Sequence, residues 1–134
     1  TGLNILIIGC GKVGTALTRQ LCKEGHDITV IDKNADKVEM NVNQYDVMGI
    51  CGNGASYSVL MEAGVENADL VIAVTNSDEL NLLCCTIAKQ GRDCATVARV
   101  SNGGCACTLY ADSSGDQFLC TWSGRDDEDQ DSGA

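Results

Sequence analysis

At 134 residues, 44% apolar but only 4% aromatic, the chain suits one domain with an aliphatic core and not an aromatic-rich β-sandwich. Its formal charge of −10, with seven acids against one base after residue 100, argues against nucleic acid as a partner, because phosphate neutralisation needs clustered Lys and Arg. No apolar run reaches the roughly 18–20 residues of a membrane span, and no basic-then-apolar signal pattern opens the chain; the expectation is a cytoplasmic protein without direct membrane insertion.

In chain order, residues 4–8 (NILII) form a continuous apolar run, the pattern of a strand buried on both faces. Residues 12–24 place Val13, Ala16, Leu17 and Leu21 near helical spacing, and Gly25 follows where a helix end favours a left-handed residue. A second strand over 27–31 (DITVI) and a shorter helix over 35–43 come next. Residues 46–50 (DVMGI) read as a third strand and 56–63 as a short helix stopped by Gly64.

The strongest strand signal is DLVIAV at 69–74. Asn76, with Glu79 three residues on, predicts a capping box opening a helix over 77–90. Residues 95–100 (ATVARV) make a fifth strand. Strands alternating with helices imply parallel βαβ units. The predicted fold is therefore α/β, a Rossmann-like, doubly wound parallel sheet in three layers and a single domain.

Residues 1–100 would be the nucleotide-binding core and 101–124 an atypical C-terminal extension with one edge strand at 116–122. Residues 125–134 would be an acidic disordered tail.

Nine cysteines raise the question of disulfides or zinc. Cys10, Cys22, Cys51, Cys84, Cys85 and Cys94 lie in apolar or glycine-rich stretches without a C-x-x-C pair, which reads as reduced, mostly buried thiols. Cys105, Cys107 and Cys120 sit in the extension, and no metal site is expected.

Gly9-Cys10-Gly11-Lys12-Val13-Gly14 is a G-x-G-x-x-G pattern, which gains meaning from following a buried strand and opening an amphipathic helix. Gly9 would permit the tight turn, Gly11 the close approach of a pyrophosphate, and Gly14 the packing of helix on sheet. The helix N-terminus, with its free N–H groups and positive dipole end, would receive the anion. Asp32 lies 21 residues beyond Gly11 at the end of the second strand, placed to accept ribose hydroxyls and to repel a 2′-phosphate. Lys33 stands beside it.

Cys51, Gly52 and Asn53 follow the third strand as a candidate adenine wall, with a plain turn as the alternative for Asn53. Thr75 and Asn76 follow the fourth strand, facing a ribose or distal phosphate, or else serving only the helix cap. Arg99 would meet a ligand anion or pair with Asp78 or Glu79. No catalytic residue emerges. His26, the sole histidine, falls at the opposite rim, and no residue pair marks an acid and base.

The segments NILIIGCGKVGTALTRQL, ITVIDKN, VMGICGNGASYSVLMEAGVENADLVIAVTNSDELNLLCCTIAK and ATVAR resemble the N-terminal lobe of the Trk/Ktr potassium-uptake regulators. These are the KTN or RCK domains, also called TrkA-N. The resemblance covers residues 3–100 and implies a regulatory subunit, not an enzyme, that binds NAD(H) or an adenine nucleotide (ATP, ADP or AMP). It further implies a homodimer or higher ring, held at the inner face of the cell membrane by a membrane-embedded potassium transporter or channel. Carried over residue by residue, the phosphate loop is Gly9, Gly11, Lys12, Val13 and Gly14, and the ribose acid is Asp32. Gly52 and Asn53 take the adenine side, and Thr75, Asn76 and Arg99 the far side. Residues 101–134 depart from the family pattern. An NAD-dependent oxidoreductase fragment without its substrate domain is the alternative reading.

Overall fold

A computed structural model of the chain describes residues 2–91, 94–102, 105–111 and 118–122. Five strands form a parallel sheet: β1 (Asn4–Ile8), β2 (Asp27–Asp32), β3 (Met48–Cys51), β4 (Leu70–Ala73) and β5 (Ala95–Asn102). Between them run α1 (Lys12–Lys23), α2 (Ala35–Gln44), α3 (Tyr57–Glu62) with a 3₁₀ turn at Val65–Asn67, and α4 (Asp78–Gly91). Two further strands, β6 (Cys105–Ala111) and β7 (Phe118–Trp122), continue the sheet antiparallel beyond β5. The strand order is β3-β2-β1-β4-β5-β6-β7. The chain winds one way from β1 to β3 and the other way from β4, so the topology switches between β1 and β4. The fold is the expected Rossmann-like α/β sheet.

The continuous apolar run of β1 is explained by burial on both faces. Ile5 and Ile7 join Ile28, Val30, Val38, Ile72 and Val74 under α1 and α2. Leu6 and Ile8 join Ile31, Leu60, Val65, Val71, Cys84 and Ala88 under α3 and α4. Each such aliphatic side chain withdrawn from water contributes about 1.5–3 kcal/mol, and Ile7, Val30, Ile31 and Val71 are fully buried. Gly25 and Gly64 close their helices at φ 89°, the left-handed value that glycine adopts without strain.

Two expectations need adjusting. The third strand starts at Met48, not residue 46, because the chain is still turning after α2, where the Val47 N–H donates to the Tyr45 carbonyl at 2.9 Å. Among the described residues of the extension there are two strands, not one, with β6 lying between β5 and β7. The expectation of mostly buried thiols holds among the described residues: Cys10, Cys84, Cys85 and Cys94 are buried, Cys22 is half-buried and Cys51 is exposed, none of them in a disulfide. Residues 116–117 of the expected edge strand and the tail 125–134 lie outside the described residues.

Candidate functional site

The carboxyl ends of β1 and β4, either side of the topological switch, open onto a cavity of about 290 Å³. Its walls come from the loops after four strands: Gly9 and Gly11, Asp32 and Lys33, Gly52 and Gly54, and Thr75 to Ser77. Open α/β sheets bind ligands at this position because the loops diverge there and leave a crevice.

The glycine loop is shaped by contacts on its inner side and by space on its outer side. Gly9 has φ 114°, and a side chain there would press at 3.0 Å on the Thr75 nitrogen and the Val74 carbonyl. A Cβ on Gly14 would overlap the Gly9 carbonyl oxygen, so α1 sits hard against the loop. A Cβ on Gly11 would meet nothing within 4 Å. Gly11 thus lines the cavity with open space beside its Cα, room that a ligand could occupy.

Helix α1 has no side-chain cap and no acid in its first turn. Its leading N–H groups and positive dipole end are left for an anion. By contrast α2 is closed by Asn34, whose Oδ1 accepts from the Asp36 and Lys37 N–H groups at 2.9 and 3.3 Å.

Asp32 ends β2 and is held from both sides. Its Oδ2 accepts from the Cys10 N–H at 2.7 Å and its Oδ1 from the Asn34 N–H at 2.8 Å. A carboxylate has about four acceptor positions, so two remain for donors arriving from the cavity. Asp32 is therefore not the cap of α2, and its carboxylate cannot swing away from a ligand without losing two charge-assisted hydrogen bonds.

The structure corrects the expected cap of α4. Ser77, not Asn76, takes that role: the Leu80 N–H donates to Ser77 Oγ at 3.1 Å and the helix begins at Asp78. Asn76 is released from capping and lines the cavity. Thr75 is fixed by a residue that the sequence reading did not single out, Asn81. Asn81 Oδ1 accepts from the Thr75 N–H at 2.8 Å and from Thr75 Oγ1 at 2.7 Å. Its Nδ2 donates to the carbonyls of Thr75 and Arg99 at 3.2 and 2.8 Å. Fully buried, Asn81 ties the ends of β4 and β5 to α4.

Of the predicted residues, Gly9, Gly11, Asp32, Lys33, Gly52, Thr75 and Asn76 line the cavity. Val13 is exposed on α1, and Gly14 is buried against the loop. Cys10 and Lys12 face a separate cleft beside α1. Cys51 is exposed next to the site, its thiol donating to the Lys33 carbonyl at 3.4 Å. Asn53 serves its own turn, its Oδ1 accepting from the Ala55 N–H at 2.8 Å. Arg99 follows Ala98, the last β5 residue paired with β4, and its side chain is absent from the cavity lining. Lys37 lines the cavity although no sequence signal marked it: it lies one helical turn beyond Asn34 and returns toward Asp32.

Burial decides what the thiols here can do. Burial, reinforced by the Asp32 charge and partly offset by Lys37, pushes the Cys10 thiol up to about 12. A thiol in that state is not a nucleophile near neutral pH. His26 sits at the amino end of β2, away from the cavity. Its Nδ1 accepts from the Leu3 N–H at 3.0 Å, and its Nε2 lies 3.7 Å from Glu24.

Comparison with known proteins agrees with this architecture. The family model described as the TrkA-N domain matches residues 5–112. The chain is 42% identical over 86 residues to a Trk system potassium uptake protein TrkA of Halomonas elongata, covering 64% of this chain and 19% of that protein. It is 38% identical over 98 residues to a homolog of that protein from Methanothermobacter thermautotrophicus, covering 73% of this chain and 45% of the other. The chain thus spans less than half the length of these curated relatives.

Among solved structures, the TrkA-N domain of the inner membrane protein ybaL of Escherichia coli superposes with a TM-score of 0.66 at 22% identity, covering 76% of each chain. The Kef CTD of Shewanella denitrificans in AMP-bound form gives 0.57 at 21% identity, covering 65% of this chain and 52% of that one. The GsuK channel bound to NAD gives 0.62 at 17% identity, covering 84% of this chain and 28% of that one. At these identities the likeness is one of fold.

Proposed function

The chain belongs to the TrkA-N domain family, and from that premise we propose that its glycine-loop cavity binds an adenine nucleotide as a signal controlling potassium transport. The observation that carries this reading is the pairing of an open Gly11 cradle at the uncapped end of α1 with the doubly anchored Asp32. The first suits phosphate, and the second suits a ribose with its hydroxyls free. The bound NAD and AMP of the two similar structures support that class of ligand.

NAD(H), ATP, ADP and AMP all fit the proposal better than NADP(H). A 2′-phosphate would meet the Asp32 carboxylate, held in place by Cys10 and Asn34. The exposed Lys33 and Lys37 would offset only part of that repulsion, because charges at a wet surface are screened. Gly9 to Gly14 and Asp32 would hold phosphate and ribose, Gly52 the adenine side, and Thr75 and Asn76 the distal part.

The proposed role is regulatory, not catalytic. The chain would sit in the cytoplasm, as a homodimer or larger ring, against the inner face of a membrane-embedded potassium transporter or channel. Ligands with different affinities for two arrangements of that assembly would shift it between them. Calorimetric titration with NADH, NADPH, ATP, ADP and AMP tests the ligand class. NADH is expected to bind at least about tenfold tighter than NADPH, a difference of about 1.4 kcal/mol, and Asp32→Ala is expected to narrow the gap. Tighter binding of NADPH would refute the role given to Asp32, and measurable hydride transfer to a carbonyl acceptor would refute the regulatory reading.

A further inference from the structure

A sheet that binds a dinucleotide is built of two halves, each holding one nucleotide over the carboxyl ends of its strands. Here the first half is complete: β1, β2 and β3 are parallel and joined through α1 and α2. The second half begins with β4, α4 and β5 and then departs from that plan. After β5 the chain turns straight back as the antiparallel strand β6, where a second half would cross through a helix to another parallel strand.

Strand β5 also outruns its parallel neighbour. Ala98, opposite Ala73, is the last β5 residue in register with β4. The strand continues from Arg99 to Asn102, paired on its other side with Thr108 to Cys105 of β6. At about 3.3 Å per residue, this β5–β6 ribbon stands roughly 13 Å beyond the end of that register, on the same rim as the nucleotide cavity. Its base is fixed: Asn81 Nδ2 donates to the Arg99 and Thr75 carbonyls at 2.8 and 3.2 Å, which ties the ribbon to the loop after β4.

The cavity ends short of the ribbon. In chain order its last lining residues are Asn76, Ser77 and Leu80, in the loop after β4 and the first turn of α4. Its volume of about 290 Å³ falls at the lower bound of the roughly 300–1,000 Å³ usual for small-molecule sites.

We infer that the β5–β6 ribbon is a wall that restricts the cavity to an adenine mononucleotide and excludes the second nucleoside of a dinucleotide. This rests on the reading of the cavity as an adenine-nucleotide site. With an adenylate seated between Gly11 and Asp32, the second nucleoside of NAD(H) has to run over the carboxyl ends of β4 and β5. Neighbouring strands lie only about 4.8 Å apart, so a nucleoside carried past β4 meets the backbone of Arg99 to Asn102. A mononucleotide ends before that point, with its phosphates at the start of α1.

Calorimetry of the full chain with ADP, its terminal methyl ester, ADP-ribose and NADH tests the proposal. The methyl ester has the diester charge of NADH without a second nucleoside. It is expected to bind at least about tenfold tighter than ADP-ribose and NADH, since both carry a second ribose into the ribbon. Replacing residues 101–106 with Asn-Gly, a two-residue turn that leaves Val100 opposite Cys107, shortens the ribbon. In that variant ADP is expected to stay within about twofold, while ADP-ribose and NADH close most of the gap.

NADH or ADP-ribose binding the parent chain as tightly as the methyl ester would overturn the wall, whether or not the variant folds. A gap unchanged in a variant that still binds ADP would overturn it too. Binding of none of the four ligands would refute the nucleotide reading beneath it, an outcome distinct from both.

Discussion

Replacing Gly11 and Gly14 by alanine should separate ligand binding from folding within one short loop. Around Gly11 there is open space and an extended backbone at φ −79°, ψ −159°, so Ala fits the fold. Its stability is expected to stay within about 0.5–1 kcal/mol of the parent, and the reduced freedom of the unfolded chain can raise it. The new methyl would occupy the cradle, so nucleotide affinity should fall by about tenfold or more.

Gly14→Ala drives its Cβ into the Gly9 carbonyl and lifts α1 off the strand. Overpacking of that kind costs about 1–3 kcal/mol. Urea melts with and without nucleotide read both effects; equal stability loss in the two variants would contradict the geometry. These residues were legible in the sequence because their signals are local: spacing within a turn, and an acid at a strand end. Lys37 and Asn81 were not: Lys37 comes to the cavity from a helix, and Asn81 acts from behind it through Thr75, by contacts that linear spacing does not display.

At the level of elements, α4 depends on a polar residue in a buried position. Asn81 lies on the helix face shared with the buried Cys84, Cys85 and Ala88, and all its amide groups are used. Asn81→Leu is expected to destabilise the chain by about 1–3 kcal/mol for each polar group left without a partner, chiefly the Thr75 N–H and the Arg99 carbonyl. Because Thr75 lines the cavity, nucleotide affinity should fall with it. Chemical denaturation and calorimetry on the same variant check this; a stability loss without any affinity change would mean Asn81 only packs.

The five parallel strands could be read from the sequence since each is an aliphatic run or alternation bounded by turn residues. Strand β6 escapes the sequence reading because CACTLYA, although apolar, has Thr108 as its one β-branched residue, shows no clear alternation, and follows a run of polar and glycine residues. A signal was present: Asn102 pairs with Cys105 across a two-residue Gly-Gly dipeptide, a spacing that favours a hairpin. The α4 cap was placed one residue early because Asn76 and Ser77 are both good caps, and only the position of the Leu80 N–H chooses between them.

For the molecule as a whole, the buried thiols predict how stability responds to alkali. Burial pushes the thiol of Cys84 up to about 11. Burial, with the neighbouring Cys84 and Cys94, pushes Cys85 up to about 12, and Cys10 also stands at about 12. The ordinary value is 9.0. Below about 9 all three are protonated whether the chain is folded or not, so their contribution is fully present. As pH rises above 9, the unfolded chain releases these protons while the folded one keeps them. The unfolded state then binds fewer protons, and the free energy of unfolding falls with pH until the folded thiols titrate at about 11–12.

The urea midpoint is therefore expected to hold near neutrality and to decline above pH 9. Cys85→Ala loses some packing, so its midpoint starts lower, but it should decline less steeply because one of the titrating thiols is gone. Far-UV circular dichroism at a series of pH values from 7 to 10.5 follows both curves. Parallel declines in parent and variant would show that other groups drive the alkaline transition and that this thiol has no part in it.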